Sequence, residues 1–181
     1  FPAVLGDGSR WGLRIRYAYE GPTALETGGG MLNALPLLGD EPFMAINGDI
    51  YSDFDPATLP RQPSGLAHLM LVHNPEHHQQ GDFVLDANGR VHDRSAAGRV
   101  DRTLTFAGIG VYRPDLLHDW HRAFDKHAAG VGQTPPRFGL APLLRLAMAE
   151  GAISGQHYRG VWTDVGTPER LAALDPQPHH T

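Results

Sequence analysis

Residues 41–55, E-P-F-M-A-I-N-G-D-I-Y-S-D-F-D, constrain the fold more than any other stretch. Phe43, Met44, Ala45 and Ile46 form a short apolar run between Pro42 and Gly48, the pattern of a buried strand. Asn47-Gly48-Asp49 follows at once, so the first carboxylate is expected just beyond the strand's C-terminal end. In open α/β sheets ligands bind along that edge. Gly48 would let the backbone turn and approach a ligand closely. Asp49 suits a hard cation such as Mg²⁺, which takes one or two protein carboxylates together with phosphate oxygens. The same three residues also compose an ordinary strand-ending turn. The stretch by itself does not choose between the two.

The rest of the chain alternates strand and helix signals. Residues 13–19 alternate in period two, which predicts a half-buried strand. After Gly21-Pro22, the run Leu25-Glu26-Thr27-Gly28-Gly29-Gly30 opens a helix with Met31, Leu32, Leu35 and Leu38 at apolar spacing. Thr27 is the expected N-cap, and Pro36 is expected to kink the helix or restart it. Residues 66–72 read as a strand. Residues 82–86 and 90–92 flank Ala87-Asn88-Gly89, a strong hairpin signal. Residues 104–112 read as a strand in which Gly108 and Gly110 suggest a bulge or a close ligand approach. A helix is expected from Pro114 to Lys126, a loop over 128–136, and a helix over 140–150. Short strands follow at 153–158 and 161–164. A last helix starts at Thr167-Pro168-Glu169 with Pro at its first position. The pattern predicts an α/β fold, a mixed sheet with an antiparallel insertion. It occupies one domain over residues 1–175, with a disordered tail over 176–181.

A second carboxylate makes the first more informative. Asp164 ends the run Val161-Trp162-Thr163 and precedes Val165-Gly166-Thr167, a glycine turn into a helix. Alone it is punctuation of that helix. Paired with Asp49 it becomes a candidate two-carboxylate metal site drawn from two distant strand ends. The two are expected to converge although 115 positions separate them in the chain (164 − 49). The adjacent His77 and His78 invite a metal reading as well. Neighbouring residues do not face one another on a helix or strand, so we read them as loop residues.

The totals exclude other classes. The net charge of −5 supplies no basic field for nucleic acid. The absence of cysteine removes disulfide and thiol chemistry and accords with a cytoplasmic setting. No apolar run approaches the roughly 20 residues of a membrane helix, so no membrane partner is expected. Nothing in the sequence speaks to oligomeric state. The chain opens Phe1-Pro2-Ala3, without Met, and is read as starting inside a longer protein.

Leu25-Glu26-Thr27-Gly28-Gly29-Gly30, Asn47-Gly48-Asp49 and Trp162-Thr163-Asp164-Val165-Gly166-Thr167 occur in an order that resembles the sugar-1-phosphate nucleotidyltransferases. Asn74-Pro75-Glu76-His77-His78 with Gly81-Asp82-Phe83, and Phe106-Ala107-Gly108-Ile109, narrow the resemblance to members that act on N-acetylmuramate 1-phosphate in cell-wall recycling. The resemblance spans about residues 5–174. It implies a Rossmann-like, GT-A-like sheet that lacks its N-terminal strands here. It also implies UTP and a sugar 1-phosphate as substrates and Mg²⁺ as cofactor, held by Asp49 and Asp164. Glu26, Thr27, Gly28, Asn47 and Gly48 would contact the nucleotide. Gly81, Asp82, Gly108 and Trp162 would contact the sugar, although Trp162 reads equally well as core. The implied reaction is in-line displacement at the α-phosphorus, which depends on positioning and charge neutralisation and requires no protein nucleophile.

Two departures stand out. The family's Gly-rich loop with Arg and Pro-Lys-Pro is not found before Leu5, so the chain on its own is expected to leave a bare strand edge near residues 43–47 and to aggregate. Where relatives carry Phe-Lys-Leu, this chain has Phe138-Gly139-Leu140, leaving Arg137 as a substitute of different geometry. Mannose-1-phosphate guanylyltransferase and a non-catalytic sugar-nucleotide-binding module remain the alternatives.

Overall fold

The computed structural model describes residues 1–95, 103–125 and 128–174. They group into two compact units, one of Phe1–Glu41 with Pro114–Leu144 and one of Pro42–Arg113 with Arg145–Thr181. The expected tail, residues 176–181, and the expected helix end at Lys126 lie outside the described residues.

The second unit carries the sheet. Its strands are β1 (Phe43–Ile46), β2 (Ile50–Ser52), β3 (Ala67–Val72), β4 (Phe83–Leu85), β5 (Val91–Asp93), β6 (Thr105–Tyr112), β7 (Ile153–His157) and β8 (Trp162–Asp164). The main sheet has the order β1-β6-β3-β7. β6 runs antiparallel to both its neighbours, whereas β3 and β7 are parallel, so the sheet is mixed as expected. β3 is an almost unbroken apolar run and is buried along most of its length, as an interior strand with both faces covered should be.

β1 differs from expectation. It forms where predicted but alternates half-buried and exposed residues, leaving Met44 41% and Ile46 47% exposed. It stands last in the strand order, with Met44 opposite Val111 and Ile46 opposite Ile109 at the margin of the core.

Two smaller ribbons complete the unit. β4 and β5 form the Asn-Gly hairpin, with Gly89 at φ 77°. β2 pairs antiparallel with β8, setting Ile50 opposite Asp164 and Ser52 opposite Trp162. A core of Leu59, Met70, Val72, Ala107, Ile109 and Val111 fills one side of the sheet, with Ile50, Phe54, Tyr158 and Trp162 packed against it.

The first unit begins with α1 (Pro2–Leu5) and contains α2 (Glu26–Leu38) and α3 (Asp115–His118). Residues 13–19 do not form the predicted strand. Alternation prepares two faces, but a strand also needs a neighbouring backbone. Here the segment is tied to the preceding loop: Ile15 N donates to Asp7 O at 2.8 Å and Tyr17 Oη to Gly6 O at 2.6 Å.

The N-cap position of α2 is Leu25, not Thr27, which falls inside the helix; Leu25 makes no side-chain cap hydrogen bond, and its N donates to the Glu20 carboxylate at 2.8 Å. The helix runs through Pro36 to Leu38, and Gly39 N closes it on Leu35 O. The long helix expected after Pro114 is a single turn, α3, followed by a 3₁₀ turn over Trp120–Ala123. His, Asp, Trp and Phe are weak helix formers, so tertiary contacts decide. The Trp120 ring stacks on Phe138 with centroids 4.6 Å apart, and Phe124 leans on the same ring.

Two further helices follow the predicted pattern. α4 (Ala141–Ala149) buries Leu143, Leu144 and Ala147, and α5 (Pro168–Leu174) starts with Thr167 accepting from Arg170 N. No helix of the described residues is long and apolar enough to cross a membrane.

Candidate active site

The site grows from the end of β1. Asn47 N donates to Gly108 O at 2.8 Å, carrying the β1–β6 ladder one step past the strand. Gly108 sits in a bulge of β6 at φ 71°, where an added Cβ would stand 2.8 Å from the Asn47 amide. Only glycine permits this close approach without strain. Gly48, by contrast, has no left-handed backbone, and a Cβ there would meet open space. Its glycine is not demanded by the turn; what it leaves is room.

Beyond Gly48 the chain enters the β2–β8 ribbon. Val165 N donates to Asp49 O at 2.7 Å, and Asp164 lies opposite Ile50. The ribbon therefore brings both aspartates to one cavity of about 340 Å³ in the second unit. Gly166 adds to this: a Cβ there would stand 3.1 Å from Asp49 Oδ2 and 3.4 Å from an Arg170 terminal nitrogen. Asp49 thus reaches across to the turn that follows Asp164, and glycine in that turn makes space for it.

Three basic side chains share the cavity, and the sequence reading did not select them as site residues. His77 Nε2 donates to Asp164 Oδ2 at 2.9 Å. Arg170 Nη1 touches Asp164 Oδ1 and also lies 2.9 Å from His77 Nε2. His78 lines the wall and donates to Asp82 Oδ1 at 2.9 Å. The expected reason against the histidine pair holds in one respect, since the two rings serve different carboxylates. It misled in another, because each reaches the site separately from the short 3₁₀ turn Glu76–His78. The available signals were the Asn-Pro-Glu-His-His motif for the histidines and, for Arg170, its place one turn into a helix that starts beside Asp164.

The predicted sugar-side residues divide. Gly108 and Trp162 line the cavity, Trp162 with its Nε1 donating to Ala107 O at 2.9 Å and its ring partly in the core. Gly81 and Asp82 do not line it. Gly81 is buried at φ 59° against the Asn74 amide, itself tied to Thr105 Oγ1. Asp82 accepts from Phe106 N at 2.9 Å as well as from His78, holding two wall residues in place.

The predicted nucleotide-side residues Glu26, Thr27 and Gly28 belong to the first unit, whereas Asn47 and Gly48 belong to the second. Glu26 has φ 62°, an unusual backbone for a residue with a side chain. Its carboxylate pairs with Arg137 at 3.1 Å, and a Cβ on Gly139 would face it at 3.4 Å. Arg137, the suggested substitute for the family lysine, is therefore committed to Glu26 here. Gly28 is explained by packing, since a Cβ would lie 2.6 Å from the Phe138 ring.

The pair Asp49 and Asp164 fits a hard cation. Among the described residues no group of three or more His, Asp or Glu could hold a metal by itself. Two carboxylates are nevertheless what a Mg²⁺ completed by substrate phosphates requires.

No family model matches the chain. Over 175 residues, 93% of the chain, it is 42% identical to N-acetylmuramate alpha-1-phosphate uridylyltransferase of Neisseria meningitidis serogroup B and covers 68% of that protein. It is 32% identical to the Caulobacter vibrioides protein of the same name, covering 64% of it. It is 44% identical over 187 residues to mannose-1-phosphate guanylyltransferase of Mycobacterium tuberculosis, covering 45% of that chain. The fold matches a crystal structure from Bacillus anthracis, described as a glucose-1-phosphate thymidylyltransferase in complex with sucrose, at TM-score 0.70 and 15% identity. That match covers 95% of this chain and 68% of the other. With its motifs, fold and relatives in agreement, the chain belongs to the sugar-1-phosphate nucleotidyltransferase family.

Proposed function

We propose that the whole protein transfers a uridylyl group from UTP to N-acetylmuramate 1-phosphate in the cytoplasm, releasing pyrophosphate. The observation that carries the reading is Asp49 and Asp164 lining one cavity in a chain 42% identical to an N-acetylmuramate alpha-1-phosphate uridylyltransferase. An oxygen of the sugar phosphate attacks the α-phosphorus of UTP. The bond from that phosphorus to its bridging oxygen breaks in line, and the electron pair leaves with pyrophosphate.

Asp49 and Asp164 would hold Mg²⁺, which when bound neutralises charge on the phosphate oxygens. The chain's own contribution is orientation. Glu26, Thr27 and Gly28 are assigned to the nucleobase, and Asn47 and Gly48 to the nucleotide, where Gly48 leaves open space for a close approach. Gly108 and Trp162 are assigned to the sugar. Gly81 and Asp82 serve the sugar side from behind, through Asn74, Phe106 and His78.

A second reading, guanylyl transfer to mannose 1-phosphate, is favoured by the 44% identity to the Mycobacterium tuberculosis protein. A panel of four nucleoside triphosphates against several sugar 1-phosphates, with pyrophosphate release as the readout, decides between them. UTP with N-acetylmuramate 1-phosphate is the expected preferred pair. Preference for GTP with mannose 1-phosphate would transfer the protein to the second reading. Tight nucleotide-sugar binding without turnover would make it a binding module.

A further inference from the structure

We propose that Arg170 and a divalent cation are alternative occupants of Asp164, so that metal binding displaces the guanidinium. The proposal rests on the two-aspartate metal reading given above. Three observations point to it.

First, Asp164 is already paired: Oδ2 accepts from His77 Nε2 at 2.9 Å, and Arg170 Nη1 stands in ion-pair contact with Oδ1, which makes no hydrogen bond among the described residues. Mg²⁺ needs carboxylate oxygens at about 2.0–2.1 Å in a strict octahedron. A guanidinium nitrogen and the metal cannot take up the same side of one oxygen, and two cations that close repel.

Second, the Arg170 contact set is poorly satisfied. Its Nη1 lies 2.9 Å from His77 Nε2, which is also 2.9 Å from Asp164 Oδ2; one imidazole nitrogen cannot both accept from the guanidinium and donate to the carboxylate, so one of the two contacts is unmet. Arg170 Nε is buried and has no hydrogen-bond partner among the described residues. A guanidinium ordinarily spends its five N–H donors in a planar fork on acceptors or water, and the Arg170 side chain is only 33% exposed. Arg170 holds Asp164 as a counter-charge without completing that fork, and little is lost when it leaves.

Third, room exists on the correct side. Arg170 Nη2 and Asp49 Oδ2 both lie against the Gly166 backbone, within 3.4 Å and 3.1 Å of the position a Cβ would take. The guanidinium thus occupies the neighbourhood of both aspartates, where a shared cation would sit. Arg170 is accordingly a positioning residue: it neutralises Asp164 before the metal arrives and gives it up afterwards.

The test uses Mn²⁺ alone, without nucleotide, on the whole protein, with free Mn²⁺ counted by electron paramagnetic resonance. Arg170→Gln is expected to bind Mn²⁺ about three- to tenfold more tightly than wild type, the scale of removing one competing, partly buried ion pair. Unchanged or weaker binding in a folded variant overturns the proposal. Should Arg170→Gln fail to fold, the wild type carries the test. The side-chain Nε–H signal of Arg170, followed by nuclear magnetic resonance with ¹⁵N-arginine, should shift in step with Mg²⁺ saturation. An Arg170 signal that stays put at saturating Mg²⁺ overturns the proposal equally.

Asp49→Asn separates this from the underlying reading. It should weaken Mn²⁺ binding whether or not Arg170 competes. If Asp49→Asn binds Mn²⁺ like wild type, the two-aspartate site itself is wrong.

Discussion

At the scale of single residues, the aspartates divide their labour by environment. Asp49 is exposed at the end of a turn, whereas Asp164 is half-buried between a guanidinium and an imidazole. On the proposed reading, either substitution replaces a charged carboxylate ligand of Mg²⁺ with a neutral amide. Asp49→Asn and Asp164→Asn are each expected to lower turnover in the whole protein by about 10²-fold or more, some 3 kcal/mol of transition-state stabilisation. Steady-state pyrophosphate release at saturating substrates measures this, and near-normal rates in either variant would remove that residue from the site. The histidines were visible in the sequence, but the partners of His77 were not. His77 meets Asp164 across 87 positions and Arg170 across 93, and no local pattern encodes such a meeting.

Among elements, the start of α2 shows how glycine is set by packing. Gly→Ala inside a helix ordinarily stabilises by about 1 kcal/mol. At Gly29 a Cβ would stand 2.5 Å from the carbonyl oxygen of Pro136, and backbone cannot step aside. Gly29→Ala is therefore expected to destabilise by about 1–3 kcal/mol, lowering Tm by several degrees. Gly30→Ala meets only the Glu20 carboxylate, a side-chain end that can shift at the cost of its bond to Leu25 N, and should cost less than Gly29→Ala, about 1 kcal/mol or under. Equal effects at the two positions in a thermal melt would refute the packing account.

The β4–β5 hairpin makes a pH prediction. Asp86 accepts from Asn88 N, Arg90 N and His92 Nε2, with the His92 hydrogen bond foremost in holding its carboxyl down at about 2. A carboxylate with a lowered folded pKa stabilises above its unfolded value, near 3.8, and that contribution is lost as pH falls toward 2. Amide exchange at the hairpin tip should accelerate across that window, and Asp86→Asn should abolish the dependence.

For the whole molecule, the sheet's end matters most. β1 presents Met44 and Ile46 to solvent, and it is last in the strand order. An apolar edge, even a short one, invites pairing with another chain, and natural edges are usually blunted by charge or proline. The 181-residue chain is expected to self-associate at micromolar concentration through this edge. Met44→Lys together with Ile46→Lys should shift it toward monomer in size-exclusion chromatography with light scattering. A wild-type chain that is monomeric at 100-fold higher concentration would refute this. The chain spans 68% and 64% of its uridylyltransferase relatives, so the activity of the whole protein is measured on the whole protein.

What the sequence determined by itself was local. Asn88-Gly89 is a tight turn, Thr167-Pro168 starts a helix, and the apolar runs at 43–46 and 67–72 are strands, because dihedral preference, capping and periodicity act over a few residues. The motifs also carried the family. The tertiary structure alone decided which features found partners. Residues 13–19 had the alternation of a strand and, among the described residues, no partner strand to complete it. Thr27 had the chemistry of an N-cap but falls inside the helix, and Glu20 accepts from Leu25 N at the entrance. Gly48 was expected to let the backbone turn and approach a ligand, and a Cβ there would face open space, while Gly108 holds the close contact that needs glycine. His77 and Arg170 became site residues only when the β2–β8 register brought Asp164 beside Asp49. Such pairings depend on ladder register and on chain entropy already spent elsewhere, and a short window of sequence contains neither.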